Sequence, residues 1–305
     1  MNQTIASVDI GTNTVLLTIA DVSPSHRTLQ VLEDIHSIAR LGQNVDSSGV
    51  IHEDSILRAQ NILEKYRTMC EDQGVSVIKA VGTSCLRDAS NRQYVCERLS
   101  DSIGTQVEVI SGDEEARLCF LGTVENDFPA TIVDIGGGST EIISGKDGVI
   151  EFRMSIDMGA VRLTERYLKK LPATNADLQC AVADIQNALS SLPDSAAVYD
   201  IRAVAGTPTT LAAMVLQLTQ FEATLINNYQ LSYTDIDTIA RKLSELSIDE
   251  IVQLPGVHPK RADILLAGVL ILKEIMKFAG KTSCSVSTKG LRYGVLKQLA
   301  ESLYV

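Results

Sequence analysis

Two glycine turns that each follow an aspartate carry the chemistry of this chain. Residues 8–14 read VDIGTNT and residues 133–140 read VDIGGGST, with Val8 and Val133 opening the two copies. In each, an apolar strand ends in Asp, then Ile-Gly, then small hydroxylated or amide residues. Such a loop suits phosphate. Glycine lets the backbone approach, its N–H groups point at oxygens, and the Asp can hold a cation or a water. The first copy offers Asp9, Gly11, Thr12, Asn13 and Thr14; the second offers Asp134, Gly136, Gly137, Gly138, Ser139 and Thr140. A plainer reading makes Asp9 a strand-capping residue in a tight turn, and the repeat weighs against it. A duplicated loop predicts two similar domains, each presenting its turn to a shared cleft.

Other residues add candidate chemistry. Glu141 follows Asp134 at hairpin distance, so both carboxylates can approach one point. Hard oxygen ligands with open water positions suit Mg²⁺ or Mn²⁺ bound to phosphate. Glu114 and Glu115 open a helix in SGDEEARL. First-turn acids commonly serve the helix dipole. Neighbours on a helix point about 100° apart, so the two do not both face a cleft. Arg87 follows a strand and a turn holding Thr83 and Ser84. Its guanidinium fork suits phosphate oxygens, whereas a plain surface arginine there would pair with Asp88. Gly206, Thr207, Thr209 and Thr210 stand between a strand and a helix. They read equally as an anion contact or as an ordinary helix cap. Arg261 can pair with Asp263 or the chain around it. Lys289 and Arg292 lie near the chain's return to the first domain and could line the cleft.

These residues need a scaffold of strands and helices. Strands are expected at 3–10, 14–21, 28–37, 75–82 and 106–111, with helices at 53–72, 91–103 and 113–124. On the first long helix Ile56, Ala59, Ile62, Leu63, Tyr66 and Met69 form one face. The pattern then restarts. Strands are expected near 130–135, 139–144, 149–155, 200–204 and 283–287. Helices are expected near 159–170, 175–191, 207–219, 233–244, 258–279 and 289–302. Each half opens with three strands before its first helix. That order predicts an α/β chain of two ribonuclease-H-like domains with a cleft between them, the actin-like ATPase architecture. The expected domains are 1–122, with the C-terminal helix 289–305 packing back on it, and 123–288.

Composition sets limits. The formal net charge of −11 over 305 residues argues against general nucleic-acid binding, which needs a basic face. Cysteines 70, 85, 96, 119, 180 and 284 show no C-x-x-C spacing and read as reduced thiols. Histidines 26, 36, 52 and 258 show no metal-binding or His-Asp spacing. The N-terminus enters a strand with no signal-peptide pattern, and the most apolar stretch is short of the ~20 residues a bilayer requires. The expected compartment is the cytoplasm, with no membrane contact.

The chain resembles the exopolyphosphatase and guanosine pentaphosphate phosphatase family of the actin, sugar-kinase and Hsp70 superfamily. The match rests on VDIGTNTVLL, AVGTSCLRDASN, VISGDEEARLCFLG, VDIGGGSTEI, MGAVRLTE, VAGTPTTLAA and RADILLAG, with the weaker VSTKGLRYGVL closing the chain. DIGGGSTE with SGDEEARL is the most discriminating pair. The resemblance implies Glu115 as the base that deprotonates a water for in-line attack on a terminal phosphorus. It implies Arg87 as a phosphate ligand, and Cys85 replaces the family's usual small apolar residue. A divalent cation would sit around Asp134 and Glu141, with Asp9 as a further ligand. The implied substrate is inorganic polyphosphate or, by the same chemistry, guanosine pentaphosphate, and a homodimer is consistent with the family. A superfamily kinase and a catalytically silent nucleotide sensor are the competing classes. Longer members carry an extra C-terminal helical region. Its absence from these 305 residues, with few basic residues, leads to an expected preference for short chains.

Overall fold

The β-branched runs at the start of the chain fold as three antiparallel strands. In this computed structural model, which describes residues 3–23, 25, 27–124 and 128–304, they are β1 (Gln3–Ile10), β2 (Thr14–Ser23) and β3 (Thr28–Ile38). The chain divides into two compact units, Met1–Thr123 with Gly290–Val305, and Val124–Lys289. In the first unit the strands are followed by α1 (Val45–Ser48), α2 (Glu53–Asp72), β4 (Val77–Gly82), α3 (Ser84–Asp88), α4 (Arg92–Ile103), β5 (Val107–Val109) and α5 (Gly112–Thr123). β4 and β5 join parallel, giving the order β3-β2-β1-β4-β5. Alternation places Val8, Ile10, Val15, Leu17 and Ile19 on one sheet face. There they bury against Ile56, Ala59, Leu63 and Tyr66 of α2. The spacing of those four keeps them on one helix face. The predicted face also held Ile62 and Met69, which are only partly buried at its margin.

The second unit repeats the plan. β6 (Ala130–Ile135), β7 (Thr140–Lys146) and β8 (Val149–Ile156) form the antiparallel part, followed by α6 (Ala160–Tyr167) and α7 (Asn175–Leu189). Then come β9 (Ile201–Val204), α8 (Gly206–Val215), α9 (Ala223–Ile226), β10 (Gln230–Ser232), α10 (Tyr233–Glu245), α11 (Ile248–Val252), α12 (Ala262–Phe278) and β11 (Ser283–Val286). The sheet order is β10-β11-β9-β6-β7-β8, with β9 parallel to β6 and to β11. Read from β8 to β11, it is the first unit's order again, with β10 added antiparallel at the edge. The fold is thus α/β with two ribonuclease-H-like sheets, the actin-like plan.

The apolar helix expected at 258–279 begins later. Pro259–Arg261 is a 3-10 turn capped by His258, whose Nδ1 accepts from the Lys260 N–H. α12 itself is buried in the second unit's core through Leu265, Leu266, Val269, Leu272 and Ile275. Its apolarity is accounted for by that packing. Finally the chain returns to the first unit as α13 (Leu291–Leu303), whose Leu296 and Ala300 cover Ile5, Ala20 and Val22. No helix among the described residues is long and apolar enough to cross a membrane. His26 lies outside the described residues.

Candidate active site

The two glycine turns are built alike. The Gly11 N–H donates to the Thr14 carbonyl at 2.8 Å, and the Gly136 N–H donates to the Ser139 carbonyl at 3.0 Å. What precedes and follows them differs. In the first unit Asp9 stands opposite Leu16 in the β1–β2 register; in the second, Asp134 stands opposite Glu141 in the β6–β7 register. Residues directly opposite on antiparallel strands share a face with Cβ atoms about 5 Å apart. The carboxylate pair therefore exists only in the second turn. Glu141 is 1% exposed and accepts a hydrogen bond from Ser155 Oγ at 2.6 Å.

The first turn is anchored from a segment that sequence reasoning missed. The Thr12 carbonyl accepts from the Gly42 N–H at 2.8 Å, and the Asn13 carbonyl accepts from the Ala39 and Arg40 N–H groups at 3.1 and 2.9 Å. Gly42 after Ala-Arg-Leu was the signal available. Asn13 is 6% exposed, and its Nδ2 has no acceptor among the described residues. A buried donor left unmade costs about 1–3 kcal/mol, so an oxygen-rich ligand suits it. Thr83 and Ser84 are also buried, and burial pushes the Cys85 thiol up to about 12.

Arg87 lies on α3 and Glu115 in the first turn of α5. Arg87 Nη1 donates to Glu115 Oε2 at 2.6 Å and to the Ile110 carbonyl at 3.1 Å. The arginine is therefore largely buried, and Asp88 accepts from Ser84 Oγ at 3.4 Å. Glu114 points elsewhere, as the 100° argument requires. It takes both Arg117 nitrogens at 2.8 Å, and that bridge holds its carboxyl below the usual range against some desolvation. Ser111 caps α5, accepting from the Glu114 N–H at 3.1 Å.

Among the described residues no three His, Cys, Asp or Glu side chains converge as a metal cluster. Two carboxylates nevertheless fit Mg²⁺ or Mn²⁺, which keep waters and complete their shell with phosphate oxygens. Asp134 and Glu141 are the pair that fits. Asp9 has a cationic neighbour in Arg292. Arg292 is tied down within the first unit. It is 5% exposed, and its Nε and Nη2 each donate to Asp34 at 2.8 Å. It also stacks on the Tyr293 ring, whose hydroxyl donates to Asp34 at 2.9 Å. Burial works against the Arg292 charge, but Asp34 outweighs it. His36 joins the cluster, with Nε2 3.3 Å from Asp34. The Lys289 N–H donates to Ser287 Oγ at 3.1 Å.

In the second unit α8 begins at Gly206, after Ala205 in the left-handed region at φ 78°. A Cβ on Gly206 would fall on the Arg261 guanidinium, which would have to shift. Among the described residues Arg261 pairs with neither Asp263 nor any other carboxylate, and burial lowers its pKa to about 10. Thr209 and Thr210 turn back, their hydroxyls donating to carbonyls of Ala205 and Gly206. Thr207 is buried, and its side chain lies against Gly268.

Comparison with known proteins agrees with this architecture. The model of the Ppx/GppA phosphatase family matches residues 18–303. Exopolyphosphatase 2 of Mycobacterium tuberculosis (strain H37Rv) is 32% identical over 316 residues, covering 97% of this chain and 98% of that protein. The crystal structure of an exopolyphosphatase from Cytophaga hutchinsonii superposes with a TM-score of 0.90 at 29% identity, over 98% of both chains. The Aquifex aeolicus member of the Ppx/GppA family gives a TM-score of 0.82 at 29% identity, over 99% of both.

Proposed function

The chain belongs to the Ppx/GppA phosphatase family, and from that premise we propose that it removes the terminal phosphate of inorganic polyphosphate. As a hydrolase of phosphoanhydride bonds it needs a base, a cation for phosphate oxygens and backbone donors. The observation that carries the reading is the Arg87–Glu115 pair, 2.6 Å apart in the first unit. A phosphate ligand and a carboxylate in contact are the two groups that an in-line attack by water requires.

In this mechanism Arg87 turns its fork to the terminal phosphate. Asn13 Nδ2 and the loop N–H groups take further oxygens, with Thr12, Thr14, Thr83, Ser84 and Ser139 supplying hydroxyls. Glu115 orients a water and accepts its proton as the oxygen attacks phosphorus. The shortened polyphosphate departs with the bridging oxygen. A divalent cation bound at Asp134 and Glu141 would offset the charge spreading over the phosphoryl oxygens. We take Mg²⁺ or Mn²⁺ as that cation, a homodimer as the assembly and the cytoplasm as the compartment.

Guanosine pentaphosphate is the second reading, favoured by Arg261. Its guanidinium lies across Gly206 with no carboxylate partner among the described residues. Gly206, Thr207 and Arg261 would then contact what lies beyond the terminal phosphates. Phosphate release from polyphosphate, guanosine pentaphosphate and ATP, measured side by side, tests both. Release from polyphosphate at the highest kcat/KM is expected. Preference for guanosine pentaphosphate installs the second reading, and preference for ATP removes both.

A further inference from the structure

We propose that Arg162 is a positioning residue, fixing the peptide planes of the second glycine turn so that their N–H groups face substrate phosphate. The inference rests on the phosphatase reading above but concerns a residue outside the catalytic set. Arg162 lies in the first turn of α6, whose N-cap Gly159 touches the glycine turn. A Cβ on Gly159 would strike the Gly137 carbonyl and the Gly138 nitrogen. That approach puts the first turn of α6 directly against the loop. The Ala160 N–H donates to the Gly136 carbonyl at 2.9 Å. The Val161 and Arg162 N–H groups donate to the Gly137 carbonyl at 2.8 and 3.1 Å. Arg162 Nε then donates to the Gly138 carbonyl at 2.8 Å.

Three successive carbonyls are thus held by one helix. A trans peptide is planar, and its C=O and N–H point in opposite directions. The carbonyl of Gly136 shares its plane with the Gly137 N–H. The next two planes pair the Gly137 carbonyl with the Gly138 N–H, and the Gly138 carbonyl with the Ser139 N–H. With all three carbonyls turned to α6, all three N–H groups turn away from it. Successive N–H groups aimed one way form a nest that favours an anion. Among the described residues the Gly137 and Gly138 N–H groups have no acceptor. The first two planes are held by backbone donors, which no substitution short of proline removes. The third is held by the Arg162 side chain. Without it the Gly138–Ser139 plane can rotate and present a carbonyl oxygen to phosphate.

The test uses the full chain with Arg162→Gln and Arg162→Lys, read by steady-state kinetics and by amide exchange over residues 136–140. Lysine keeps the charge and lacks the Nε–H. Losing one charge-assisted hydrogen bond to the anion corresponds to KM rising about tenfold in both variants, with kcat within about threefold and the melting temperature close to wild type. Tripolyphosphate should protect the Gly137–Ser139 amides in the wild-type chain, and much less so in either variant. Wild-type KM in Arg162→Lys would assign the effect to charge and overturn the positioning role. Equal protection in all three proteins, or none in the wild type, would overturn it as well. The exchange measurement needs no turnover. Failure of the wild-type chain to release phosphate therefore strikes the phosphatase reading and leaves the Arg162 result separately decided. Should Arg162→Gln not fold, Arg162→Lys alone decides.

Discussion

Arg87 Nη1 stands 2.6 Å from Glu115 Oε2, so the arginine proposed to bind phosphate also holds the carboxylate proposed to activate water. The two side chains are largely buried, at 21% and 11% exposure, so the pair is little screened by solvent. An arriving phosphate competes for the guanidinium. Under the proposed mechanism substrate binding would release the base, tying water activation to an occupied site.

Glu115→Gln keeps the shape and removes the proton acceptor. The expected loss in kcat is on the order of 10²–10⁴ with KM changed little. Glu114→Gln should stay near wild type, because Glu114 forks with Arg117 on another helix face. Steady-state rates on both variants check this. A dead Glu114→Gln beside an active Glu115→Gln would reverse the assignment.

Much of this arrangement is written in local patterns, and the rest in bonds that local patterns do not encode. β1 and α2 match the expected ranges because alternation and helical spacing run through eight and twenty residues. α1, α3, α9, α11 and β10 span only three to five residues each, too few for a period to declare itself. The glycine turns are legible because they repeat. Their anchors are not, since Ala39–Gly42 and the first turn of α6 act mostly through backbone N–H groups that any residue type but proline supplies. The pairing of Arg292 was hidden for another reason. Its partner Asp34 is 258 positions away, and such a pairing appears only when α13 folds back on the first sheet.

Asp134→Ala or Glu141→Ala should weaken Mg²⁺ activation, because each removes a hard oxygen ligand. Asp9→Ala should shift the Mg²⁺ midpoint less, given the Arg292 charge beside Asp9. Arg87→Ala should raise KM and leave the midpoint in place. Titrations of activity with Mg²⁺, and of thermal stability with Mn²⁺, read all four. An unchanged midpoint in both Asp134→Ala and Glu141→Ala would remove the cation from this hairpin.

The Asp34–Arg292 bridge should set an acid limit on stability. Burial opposes ionisation of Asp34, but hydrogen bonds from His36 and Arg292 hold its carboxyl well below the usual range. The stabilisation is therefore complete above the unfolded-state value of about 3.9 and drains away as pH falls below it. Asp34→Asn leaves a buried guanidinium without its counter-charge, an expected cost of about 2–4 kcal/mol at pH 7. Denaturation of both proteins should show that gap narrowing below about pH 4. A gap that stays constant down to about pH 2 would exclude the bridge as its source.

Substrate length is decided by cationic contacts beyond the end phosphate. Each such contact adds attraction along a polyanion, and salt screens it over about 10 Å at 0.1 M. This chain carries a formal net charge of −11 with 27 basic residues against 38 acidic ones. Arg292 is committed to Asp34, Arg117 to Glu114, and Arg162 to the Gly138 carbonyl. Arg87, itself bonded to Glu115, and Arg261 are the proposed phosphate contacts. Phosphates far from the scissile end should therefore add little binding and meet net repulsion. The expected outcome is kcat/KM per chain end on short polyphosphates equal to or above that on chains of hundreds of units, with low processivity. Added salt should then narrow the difference by screening the repulsion. Phosphate release at matched end concentration, at low and moderate salt, measures it. A strong preference for very long chains that survives moderate salt would reveal an extended basic track and defeat the argument.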